Sequence, residues 1–241
     1  MLANLESVEK LDDYWVRQFL KDALLVVPDS AIELFKNRLQ RVEGTDNWSY
    51  SPLTKPYKEN DSLGLLKVAD SARHLRSLLD WALERANAST TLHRFGEVVV
   101  ALCGKYDQAF LDRLVHWMAG GSDRHARVVA AVLREAHSEI VFDYPHFVGS
   151  VLTAAHAIGR DAVERISSSL HIATCSGVRS ATPGEPFPED VRLEKHASEM
   201  LSTLSRWDPA YDLYAGLLRS AKSGIEWQRR EKEAMDAEDE E

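Results

Sequence analysis

The chain has 241 residues, of which 44% are hydrophobic and 28% charged, enough apolar side chain for one large core or two small ones. Acidic residues outnumber basic ones 38 to 29, for a net charge of -9. Seven acidic and three basic residues lie from Arg229 onward, so the body stays acidic even without this tail. Such a balance opposes broad nucleic-acid affinity, because a duplex binder must present a field that attracts phosphates.

The longest apolar runs, such as Val98 to Leu102, are far too short to span a bilayer. Met1 runs into Asn4, Glu6, Glu9 and Lys10, unlike the basic-then-apolar layout of a secretory signal. The two cysteines, Cys103 and Cys175, stand far apart without a CxxC, and read as small buried residues in a reducing compartment. A cytoplasmic location without membrane contact is the expectation.

In chain order, Val8, Leu11, Trp15, Phe19, Ala23 and Val27 fall at steps of three and four, predicting a long first helix from Glu6 that Pro28 ends. Ser30 and Glu33 form a capping box for a second helix carrying Ile32, Phe35, Leu39 and Val42. Residues 1–43 are therefore an N-terminal hairpin that caps the later helices. Residues 44–62 hold Gly44, Pro52 and Pro56 and read as a long loop. Its aromatics Trp48, Tyr50 and Tyr57 either pin the loop to the helices or bind a partner.

Helical pattern resumes with Leu75, Leu78, Leu79, Ala82, Leu83 and Ala86, breaks near Asn87 to Thr90, and continues through Leu92, Phe95, Val99 and Leu102 to Gly104. Two helical hairpins with matched layout come next. Phe110, Leu111, Leu114, Val115 and Met118 stripe one helix, and Val128, Val129, Val132, Leu133 and Ala136 stripe its partner. Phe147, Val148, Val151, Leu152 and Ala155 then face Ala162, Val163, Ile166 and Leu170. Asp107 and Pro145 are 38 residues apart, as are Asp123 and Asp161. After an irregular stretch, Ser176 to Phe187, Pro188 and Pro209 each introduce a further helix. Tyr211, Tyr214, Leu218, Ala221 and Ile225 stripe the last one, and beyond Trp227 it becomes predominantly charged, an expected solvated end.

A two-helix repeat of this length marks stacked hairpins, because each pair buries its apolar face only against its neighbours. Asp123, Ala126, Arg127, Ala130 and Leu133 resemble the second helix of a HEAT repeat, and Asp161, Arg165 and Leu170 echo it. The resemblance covers roughly 70 residues and implies an all-α, right-handed α-solenoid of about ten helices. Residues 63–241 would be one continuous array with an acidic C-terminal tail.

HEAT-like arrays serve as scaffolds, adaptors, transport receptors and, in one family, DNA repair enzymes. The chain has no HExxH, no GxSxG and no phosphate-binding loop, and its nine histidines include no pair four apart. Only His116 and His125 could approach across a hairpin turn. No cofactor or metal is expected, and the favoured function is a non-enzymatic scaffold for another protein. Its candidate binding surface comprises Trp48, Tyr50, Tyr57, Arg124, Arg127, Arg165 and Arg179. Two alternatives stand beside it. One is the C-terminal helical sensor or regulatory region of a larger multidomain signalling protein. The other is a HEAT-like DNA glycosylase, with Trp117 and Asp123 beside Arg124 and Arg127.

Overall fold

A computed structural model describes residues 2–43, 50–53, 62–176, 181–182 and 185–238. Helices account for 76% of the chain, with eleven α-helices and no strand among the described residues. They are α1 (Tyr14–Val26), α2 (Pro28–Val42), α3 (Ser71–Glu84), α4 (Ser89–Cys103), α5 (Gln108–Met118), α6 (Asp123–Arg134), α7 (Ile140–Asp143), α8 (Pro145–Ile158), α9 (Arg160–Cys175), α10 (Pro188–Thr203) and α11 (Tyr211–Glu238).

The stripes of α3 to α6 and α8 are buried as their spacing requires. Leu78, Leu102, Leu114, Val132 and Leu152 are fully removed from solvent. Within the core α2 packs on α4, α4 on α6, α6 on α9 and α9 on α11, while α5 meets α8 on the other side. The α6 helix is the hub, touching α3, α4, α5, α8 and α9. Its approach to α4 depends on Gly96, where a Cβ would land inside the radius of the Ala131 carbonyl oxygen. Only a residue without a side chain lets the two backbones come this close.

The N-terminal hairpin departs from expectation. The first helix begins only at Tyr14, capped by Asp13, whose carboxylate accepts from the amides of Trp15 at 2.9 Å and Val16 at 3.1 Å. This start rotates the buried face: Leu20, Ala23 and Leu24 point inward, while Trp15 is 75% exposed. Pro28 not only closes α1 but occupies the first turn of α2, so Ser30 lies inside the helix and forms no capping box. Glu33 pairs instead with Lys36 at 2.7 Å.

Arg38 is fully buried and holds the irregular segments together. Its guanidinium donates to the carbonyls of Leu5, Val8, Ser51 and Pro52 and lies 4.6 Å from the Tyr50 ring centre. The Tyr50 hydroxyl donates to the Glu6 carbonyl at 2.9 Å.

Two smaller departures lie further along the chain. The single turn α7 fills the junction between the matched hairpins and raises the count above the expected ten. In α11 the buried line is Leu213, Tyr214, Leu217, Ala221 and Gln228, rotated slightly from the predicted stripe; Tyr211 and Leu218 are half-buried. Cys103 is buried and Cys175 partly so.

Two substitutions test this packing. Leu114→Ala should cost about 2–4 kcal/mol through lost burial and a cavity. In an exposed helix Gly→Ala usually stabilises by about 1 kcal/mol, but Gly96→Ala should destabilise by about 1–3 kcal/mol, because the methyl meets backbone and not a movable side chain. Urea midpoints of both variants read these values, and a stabilised Gly96→Ala would refute the close approach of α4 to α6.

Candidate functional site

The N-terminal end of α6 places candidate side chains on both of its flanks. Its N-cap is Ser122, which exchanges cap hydrogen bonds with His125 in a reciprocal box. The Ser122 amide donates to His125 Nδ1 at 3.1 Å. The Ser122 hydroxyl lies 3.2 Å from that same nitrogen, so this serine–histidine pair is explained as a helix cap. The Trp117 ring sits 4.7 Å from the imidazole at 46°, and its indole N–H donates to Asp80 Oδ1 at 2.8 Å.

Trp117, His125 and Asp80 wall the first recess, a cavity of about 640 Å³ between α3 and α5. Ala72, Leu75 and Leu79 supply its apolar lining, and Arg76, Asp80, Asp112, Arg113 and His116 supply charge of both signs and polarity. His116 and His125 do share this lining, as their spacing suggested. No group of three or more potential metal ligands gathers among the described residues.

On the other flank of α6 a smaller recess, about 210 Å³, lies among α4, α6 and α9. Arg127 and Arg165 both line it. Asp123 bridges them, accepting from Arg127 Nε at 2.7 Å and lying 3.8 Å from Arg165 Nη2. The grouping of Trp117 with Asp123 and Arg127 expected for a glycosylase is therefore split between two recesses, and the Asp123 carboxylate is engaged with arginine.

The remaining candidates fall apart in space. Arg124 donates to the Leu83 carbonyl at 2.6 Å and caps the C-terminal end of α3. Tyr50 is buried against Arg38, so it anchors chain and offers no surface to a partner. Trp48, Tyr57 and Arg179 lie outside the described residues. Periodicity could not single out Asp80 and Trp117, which meet across 37 residues of sequence.

No family model matches the chain, and no solved structure gives a significant match. Over 112 residues the chain is 29% identical to a probable serine/threonine-protein kinase, WNK10, of Arabidopsis thaliana. That similarity covers 38% of this chain and 21% of the kinase, so the chain matches about a fifth of the length of that relative. No helix among the described residues is long and apolar enough to cross a membrane.

His125 titrates below its ordinary 6.5, chiefly because burial disfavours the charged ring, with Asp80 opposing and Arg124 adding to the shift. Burial lowers His171 and His196 in the same way. A group with a depressed folded pKa favours the folded state in its neutral form, so this stability is complete above about pH 6.5 and shrinks as pH falls through that value. The melting temperature should accordingly drop between about pH 7.5 and pH 5, and His125→Asn, which keeps a cap acceptor, should flatten part of the drop. A wild-type profile that is flat or rises on acidification would contradict these burials.

Proposed function

We propose that the helices stack as a right-handed α-solenoid and that the chain is a non-enzymatic scaffold binding a segment of another protein between α3 and α5. The observation that carries this reading is the recess of about 640 Å³ walled by Trp117. Its volume accommodates several side chains of a bound segment. Tryptophan and arginine beside an apolar lining are the residue types that dominate protein interfaces. The run of contacts from α2 through α4, α6 and α9 to α11 supports the stacking, since solenoids grow by such nearest-neighbour packing.

A second reading is favoured by the partial similarity to a kinase: the chain acts as a helical sensor or regulatory region of a larger signalling protein. It uses the same recess, with the bound segment supplied by the signalling protein itself.

Photo-crosslinking in host cells tests the scaffold. With benzoylphenylalanine in place of Asp112 on the rim, one dominant protein adduct is expected, weakened by the exposed substitution Arg76→Glu. The same group in place of Lys222 on α11 should give none. Identical adduct patterns from both positions would sink the proposed site.

Duplex DNA, intact or carrying an abasic site, should remain unbound even near 50 mM salt, where phosphate contacts are strongest. Tight, salt-sensitive binding that Arg124→Glu/Arg127→Glu abolishes would replace the scaffold by a repair enzyme, with Asp123→Asn then tested for loss of base excision.

A further inference from the structure

The smaller recess on the far flank of α6 has a different character from the Trp117 recess. Arg127, Arg134 and Arg165 line it together with Ser89 and Ser169. Arg134 makes no ion pair or hydrogen bond among the described residues, and Arg165 Nε is buried without a hydrogen-bond partner there. Ser169 is only 7% exposed, and its hydroxyl, which makes no hydrogen bond among the described residues, adds a donor to the lining. At the mouth stands the first turn of α4, where the N-cap Ala88 provides no side-chain acceptor. Its free amides and the positive end of the helix dipole favour an anion.

The acidic groups nearby are already engaged. Asp123 answers Arg127 and Arg165, Glu97 answers Arg94 at 2.9 Å, and His93 lies between Glu97 at 3.9 Å and Glu135 at 3.8 Å. Arg134 is left as the uncompensated charge among the described residues of the recess.

We infer that this recess binds the phosphate of a phosphorylated serine or threonine in a partner protein. A phosphomonoester carries nearly two negative charges and three strong acceptor oxygens, which suit guanidinium forks, a hydroxyl and helix amides. A cavity of about 210 Å³ admits one such group. A nucleic acid would need a basic track spanning many phosphates, and a chain with a net charge of -9 repels that extended charge. The site is separate from the recess between α3 and α5, so it stands whether or not a segment binds there.

The test is an amide-resolved NMR titration of the whole chain with N-acetyl-phosphoserine methylamide, N-acetylserine methylamide and a labelled DNA duplex. The phosphorylated probe should saturate at roughly millimolar concentration, as a single charge-assisted contact set would. Its shifts should centre on Ser89, Arg165 and Ser169, and the unphosphorylated probe should cause none. Arg134→Gln and Arg165→Gln should each weaken binding about tenfold. If Arg165→Gln lowers the melting temperature, Arg134→Gln at an exposed position and Ser169→Ala carry the comparison. Absence of saturable shifts, unchanged affinity in Arg134→Gln and Ser169→Ala, or tighter and steeply salt-dependent binding of the duplex would each overturn the assignment.

Discussion

The contact between Gly96 and the Ala131 carbonyl governs the middle of the molecule, because it sets how closely α4 lies against α6. Every other major packing of α6 is made with that spacing in place: α3 and α5 on one flank, α9 on the other. The smaller recess needs the same constraint, since Ala130 and Ala131 line it beside Leu92. Small residues at a helix crossing thus do two things here. They exclude water from the core and leave a shallow space above it that longer arginine side chains border.

The helices of the matched hairpins were legible in the sequence because their burial follows one strong rule, apolar side chains recurring every three or four residues. Asp107 and Gly104 marked boundaries that the structure keeps: Asp107 accepts from the Phe110 amide at 2.7 Å, and Gly104 takes a positive φ of 74°. The rule failed at α1, where apolar residues continue on both sides of the helix. Tyr14, Trp15, Leu25 and Val26 are exposed there, and a stripe could be drawn through the wrong set. What located the true start was Asp13, a cap residue that periodicity passes over.

The recesses were legible only in part. Arg127 and Arg165 stood out by their resemblance to a HEAT-type pattern, and the structure does bring them to one cavity. Arg124, three residues before Arg127, instead reaches the C-terminal end of α3, where it donates to the Leu83 carbonyl. The pairing of Asp80 with Trp117 is tertiary and leaves no local trace. Recesses lined by α3, α4, α5, α6 and α9 take shape only after those helices have docked.

Arg38 and the half-buried histidines respond differently to acid. An arginine stays charged across the whole physiological range, so the carbonyl cluster around Arg38, which ties residues 5–8 and 51–52 to α2, does not feel acidification. Further along the chain, burial holds half-buried imidazoles toward their neutral form. His171 joins α9 to Ser220 of α11 at 2.9 Å, and His196 on α10 meets the Val141 carbonyl at 3.2 Å. Mild acid therefore weighs on α6 through His125 as well as on α9 and α10 through His171 and His196, while the clasp around Arg38 keeps its charge.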